Sequence, residues 1–137
     1  MAVSTLVSNS CIITAGELQF ATYDTTSGTP LAGTVTIQST CTLGGAMVMT
    51  MGPGANPHAT STDTAPVRQM IGAGGNLAHD LYTDLAHTIV WGNTSGTGKA
   101  FIATGGTDNI LVYGLVPDQQ AVGGGSFADS VAVTLTC

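Results

Sequence analysis

The chain has 137 residues, 43% of them hydrophobic and only 7% charged, with a net charge of −6 at neutral pH. Two cations, Arg68 and Lys99, against eight carboxylates exclude nucleic acid and an anionic membrane surface as partners, since both bind through clustered Lys and Arg. What remains is a Thr/Ser/Gly-rich exported β-protein, or a subunit whose surface is largely covered by its neighbours.

The length suits one domain, in which folding buries roughly two-thirds of the unfolded surface. Met1 to Leu6 lacks the basic start and continuous apolar core of a signal peptide. Export therefore implies a mature chain. No window approaches the ~18 apolar residues of a membrane-spanning helix.

No stretch keeps a helical period, whereas strand signals recur. The first expected strand covers residues 18–23, ending at Asp24 before the turn-rich run Thr25-Thr26-Ser27-Gly28-Thr29-Pro30. Residues 33–39 alternate cleanly, and residues 46–51 form the next strand, stopped by Gly52-Pro53-Gly54. Residues 52–65, with Pro, Ser, Thr and Gly, read as an exposed loop. Shorter strands are expected at 67–71, 77–82, 88–91 and 101–104, then a longer one at 109–114. The final stretch places Val131, Val133 and Leu135 on one face, with Ser130, Thr134 and Thr136 on or near the other. A half-buried strand so placed needs a neighbour, either an earlier strand or another molecule. Seven or more short strands with frequent turns indicate a β-sandwich.

Cys11, Cys41 and Cys137 allow three single disulfides. A Cys11–Cys41 bridge would close a loop of about 30 residues, worth roughly 3–4 kcal/mol in the chain-entropy account. Three reduced thiols are the other reading. Cys137 is the odd one, buried, unbonded or paired between molecules. No Cys-x-x-Cys is present, which argues against zinc and thioredoxin-like chemistry.

The catalytic and ligand motifs fail one by one. Residues 92–100 imitate a phosphate loop, but Asn93 replaces its first glycine and Ala100 its magnesium-binding Ser or Thr. A hairpin loop carrying a solvated Lys99 is expected instead. His58, His79 and His87 with Asp80 and Asp84 suggest a metal site only on paper. His79 and Asp80 are adjacent, so a strand points them to opposite faces, and the histidines read as surface or interface residues. No Gly-x-Ser-x-Gly elbow activates a serine, and Glu17 is the only glutamate. The chain is expected not to be an enzyme and to use no cofactor or metal.

Several ordered stretches resemble the spore coat protein U domain, the subunit family of archaic, Csu-type chaperone–usher pili. Leu77-Ala78-His79-Asp80-Leu81-Tyr82-Thr83-Asp84, continuing through Thr88-Ile89-Val90-Trp91-Gly92, is similar to the family's Leu-x-Tyr-x-Leu-Tyr-x-Asp and Trp-Gly signature, with His79 replacing an aromatic residue. Cys11 followed by Leu18-Gln19-Phe20-Ala21-Thr22-Tyr23 resembles its first strand, with Ala21 replacing a glycine. Gly33-Thr34-Val35-Thr36-Ile37 leading to Cys41, Arg68-Gln69-Met70, Val112-Tyr113-Gly114, and Gly125 through Val131 match further elements in order. The family usually closes on an apolar residue where this chain has Cys137.

The resemblance implies an all-β, incomplete immunoglobulin-like sandwich, completed by a donor strand from a neighbouring subunit. Residues 1–10 are then an N-terminal extension and candidate donor, and residues 11–137 the pilin-like domain. At about 3.3 Å per residue the extension spans roughly 33 Å. Its inward face is expected to carry Met1, Val3, Thr5 and Val7, with Thr5 interrupting the apolar series. The acceptor groove is expected to use Leu18, Phe20, Val131, Val133 and Leu135, and the disulfide Cys11 and Cys41. The implied function is a secreted structural subunit of an extracellular pilus or fimbria serving adhesion or biofilm formation. Identical subunits would join head to tail, with a periplasmic chaperone and an outer-membrane usher as assembly partners. The alternatives are a spore or cell-surface coat protein of the same family, or a single-domain adhesin for carbohydrate or a host surface.

Overall fold

The alternation in the sequence becomes nine strands and no helix in a computed structural model that describes residues 1–137. They are β1 (Cys11–Ala15), β2 (Leu31–Cys41), β3 (Ala46–Met51), β4 (Arg68–Gly72), β5 (Gly75–Tyr82), β6 (Lys99–Ile102), β7 (Thr107–Val116), β8 (Phe127–Ala128) and β9 (Val133–Thr136). Six form one antiparallel sheet in the order β1-β2-β7-β5-β4-β8, and three form a second in the order β6-β3-β9. Period-two burial explains the pairing of the layers. On β2, Val35, Ile37, Ser39 and Cys41 turn inward while Thr34, Thr36, Gln38 and Thr40 face water. Ile110, Val112, Gly114 and Val116 do the same on β7. They meet Met47, Met49 and Met51 of β3, giving a core of Ile37, Met49, Met51, Leu81, Trp91, Ile110 and Val112.

Two buried side chains stitch the sheets together. Trp91 receives no solvent; its backbone N–H donates to the Leu81 carbonyl and its indole N–H to the Met49 carbonyl, both at 2.8 Å. Arg68, equally buried, donates from Nε to the Gly52 carbonyl (2.9 Å) and from Nη2 to those of Met51 (2.9 Å) and Trp91 (2.7 Å). Its Nη1 meets the Asp80 carboxylate at 2.6 Å. A guanidinium suits this place because its planar fork satisfies several carbonyls at a strand end at once. With Arg68 inside, Lys99 is the one cationic side chain left at the surface.

The strands and loops differ from the sequence reading in four places. Residues 18–23 alternate like a strand but pair with no backbone; their side chains alone are held, so the apolar period is satisfied without a ladder. Cys11–Ala15 is instead the strand that covers the outer edge of β2, in register from Cys11↔Cys41 to Ala15↔Ile37. Residues 88–91 contribute only the Tyr82↔Val90 bridge, and Trp91 turns into the core. Residues 92–98 are not a hairpin loop: they carry the chain from beside β5 to β6 in the other sheet, folded on themselves by bonds between Gly92 and Thr97. Residues 52–65 form a loop, as read.

Candidate functional site: an open groove between the sheets

At the Cys11–Cys41 disulfide the sandwich is shut, with Cys41, Met47 and Ala103 packed together. At the other end of β2 the layers part around a cavity of about 1310 Å³. Its floor is the inner face of the larger sheet, including Val35, Ile37, Leu77, His79, Leu81, Val112 and Val116. One wall is the end of β1 at Ala15 with the unpaired segment 16–25, and the other is the run 122–131 continuing into Val133. β9 pairs with β3 on one side and with nothing on the other. The cavity is thus lined mainly by apolar side chains, and the unpaired edge of β9 meets it at Val133.

The structure places the expected groove residues as follows. Leu18, Val131, Val133 and Leu135 are half-buried and pack against the core. Leu18, Phe20, Val131 and Val133 line the cavity, whereas Leu135 lies beyond it, against Met47, Cys41 and Ala103. Leu18 and Phe20 reach the floor because two glycines, paired directly as Gly33↔Gly114, leave the inner face bare there. A Cβ on Gly114 would stand 2.6 Å from Leu18 Cδ2 and 2.7 Å from Phe20 Cζ. Tyr23 pins the end of the same segment, its hydroxyl donating to the Pro117 carbonyl at 2.6 Å and accepting the Gln120 N–H at 3.1 Å.

Residues 1–10 form no strand and are exposed throughout, including Met1, Val3, Thr5 and Val7. Only their last residues are tied down: the Ser10 N–H donates to Thr42 Oγ1 (3.0 Å) and the Thr42 N–H to the Ser10 carbonyl (3.0 Å). The extension thus leaves the molecule at the disulfide end. Cys137 is exposed and unbonded.

Sequence reasoning missed the floor of the groove and its one polar feature. His79 is not a surface histidine: it is 7% exposed, on the inward face of β5 between Leu77 and Leu81. Its Nε2 lies 2.8 Å from Oδ2 of Asp129, whose other oxygen accepts the N–H groups of Ala55 (2.9 Å) and Ser130 (2.8 Å). Burial pushes the Asp129 carboxyl up, but the hydrogen bonds from His79, Ala55 and Ser130 outweigh it and hold it below its ordinary value. The separation of fifty positions between His79 and Asp129 hides this pair from any local motif. The other two histidines lie elsewhere: His58 faces Thr60 in the exposed loop, and His87 sits edge-on between Tyr82 and Tyr113.

The sequence profile of the Spore Coat Protein U domain matches residues 1–134. Protein U of Myxococcus xanthus is 41% identical over 128 residues, covering 88% of this chain and 72% of that protein. The chain belongs to the Spore Coat Protein U domain family. Among solved structures, this domain resembles a chain of the CsuC–CsuE chaperone–tip adhesion subunit pre-assembly complex, from the archaic chaperone-usher Csu pili of Acinetobacter baumannii. The TM-score is 0.69 at 17% identity, over 94% of the domain and 40% of that chain. At that identity the likeness is one of fold. It makes the Spore Coat Protein U domain described here an all-β, immunoglobulin-like sandwich, and the domain spans well under half of the chain it resembles.

Proposed function

We propose that this domain is a non-enzymatic structural subunit of an extracellular pilus, assembled by the chaperone–usher route through donor-strand complementation. The observation that carries the reading is the mainly apolar groove that meets the unpaired edge of β9, on a chain whose residues 1–10 are exposed and alternate. Open apolar surface of this size is unfavourable in water by roughly 25 cal/mol per Å². A strand laid along β9 would bury it and complete the ladder. Met1, Val3, Thr5 and Val7 are the inward residues of the donor, and Leu18, Phe20, Val131, Val133 and Leu135 belong to the acceptor. During export a periplasmic chaperone fills the groove, and an outer-membrane usher hands the subunit on to the next extension. Head-to-tail donation does not close on itself, so it yields a fibre at the cell surface rather than a ring. Adhesion or biofilm formation is the use such a fibre serves.

The family's name favours a second reading, in which the same subunits are laid down as a coat on a spore or cell surface. The tip adhesion subunit in the similar structure makes a single-domain adhesin the third.

Light scattering after size exclusion, on the chain with and without residues 1–10, separates these readings. Long, denaturant-resistant polymers that disappear with the deletion are the expected result. Stable monomers in both cases would remove strand donation and leave the adhesin or coat readings.

A further inference from the structure

His79 leaves one loose end in the groove. Asp129 is an ionised acceptor, so the proton between the pair sits on His79 Nε2. The other ring nitrogen, Nδ1, is buried and has no partner. A buried polar atom without a hydrogen bond is costly in an apolar setting. The imidazole itself lines the groove, at the middle of the three inward positions of β5. Residues 1–10 carry the complementary irregularity: within the inward face Met1, Val3, Thr5 and Val7, only Thr5 has a hydroxyl.

We infer that the Thr5 hydroxyl of a second copy of this chain hydrogen-bonds with Nδ1 of His79, and that this bond sets the register of the inserted strand. The inference rests on the proposed strand donation and adds its alignment. A slip of two residues either way keeps the same face inward. It would set Val3 or Val7 opposite His79 and leave both the imidazole and the threonine hydroxyl without partners. The apolar positions alone tolerate such a slip; the polar pair does not.

The donor must come from another copy. Cys11 pairs with Cys41, whereas His79 lies level with Val116 and hence with Leu31, ten residues farther along β2. That is about 33 Å at strand spacing, while the six residues from Cys11 to Thr5 reach only about 20 Å. The anchoring of Ser10 on Thr42 shortens the reach further. The chain's own Thr5 therefore falls short of its own His79.

The test uses full-length polymers and reads their dissociation rate in denaturant by light scattering. Thr5→Val keeps the shape and removes the hydroxyl, and dissociation should speed up roughly tenfold, the effect of one lost buried hydrogen bond. Thr5→Ser should restore the slow rate. In a His79→Phe background, Thr5→Val should no longer speed dissociation; the Thr5 series stands alone if that background does not fold, since Thr5 is exposed in the subunit. Val7→Asn serves as the reference. If Val7→Asn destabilises the polymers while Thr5→Val leaves them unchanged, strand donation stands and the register bond is wrong. If neither matters, or no polymers form, both fall.

Discussion

The two ends of this sandwich are made from the same period-two alternation and finish in different states. Near Cys41 the inner face of β2 is covered on every side: β1 closes its outer edge, the disulfide fixes the register, and Met47 and Ala103 fill the interior. Near Leu31 the same face looks into a cavity bounded by segments 15–25 and 122–131, neither of which forms a long ladder. At the closed end Met47 and Ala103 are 1% and 2% exposed, whereas Leu18, Val131 and Val133 at the open end remain half-buried. Hydrophobic character does not distinguish the ends. What differs is whether the backbone beside those side chains has a partner within the chain.

The largest change expected from one substitution strikes between the two ends, at the stitch they share. Arg68→Ala removes the donor to the carbonyls of Met51, Gly52 and Trp91 and leaves Asp80 without its cation. Breaking a buried ion pair by deleting one partner costs about 3–5 kcal/mol. Urea unfolding should show that loss with the denaturant slope little changed, because the whole sandwich still unfolds as a unit. A loss under about 1 kcal/mol, in the range of an exposed ion pair, would mean that Trp91 alone joins the sheets.

A smaller and more local effect is expected at the glycine pair. Gly114→Val puts atoms where Leu18 and Phe20 now rest, and overpacking of this kind costs about 1–3 kcal/mol. The comparison becomes sharper if the damage stays at the open end. Amide exchange should accelerate around Gln120, whose N–H is held by Tyr23, and stay unchanged at Cys11 to Ala15. Acceleration at both ends alike would show that the groove and the disulfide end form one cooperative unit.

How much of this was legible in the sequence follows the same division. β2, β3 and the cysteines are periodic or chemically distinctive, so their positions are legible in local pattern, whereas which strand each pairs with and which cysteines join are settled only by the fold. Residues 18–23 carry the same pattern as β2, yet alternation records only which side chains are buried, and nothing in it says whether a backbone partner exists. Nothing local marks Arg68 for burial, since a lone arginine is ordinarily solvated; its burial depends on the carbonyls at Met51, Gly52 and Trp91, which only the fold brings together. The burial of His79 is hidden for the same reason, its partner Asp129 lying fifty positions away in the chain. The glycine pair was visible as two glycines and invisible as a seat for Leu18 and Phe20 until the register of β2 on β7 was known.

The smallest expected effect concerns pH and the rim of the groove. Asp129 is held below its ordinary value in the folded chain, so its ionised form is favoured more by the fold than by the unfolded chain. That contribution is complete above the unfolded carboxylate value of about 3.9, and it fades as pH falls through the lower folded value. Below about pH 4 Asp129→Asn should therefore lose less stability than the parent chain, Asp80, raised by burial, behaving alike in both. Asp24 and Asp84, lowered by hydrogen bonds from Thr26 and Thr88, respond equally in both proteins and cancel in the comparison. The rim is where the two ends separate most clearly: acid releases the carboxylate that holds Ala55, Ser130 and His79 beside the groove, and no titrating side chain stands in the core around Met47. Thermal unfolding at pH 7 and pH 3, with exchange followed at Ala55 and Ser130, would detect the difference. Equal losses in the two proteins would place the acid sensitivity outside the groove.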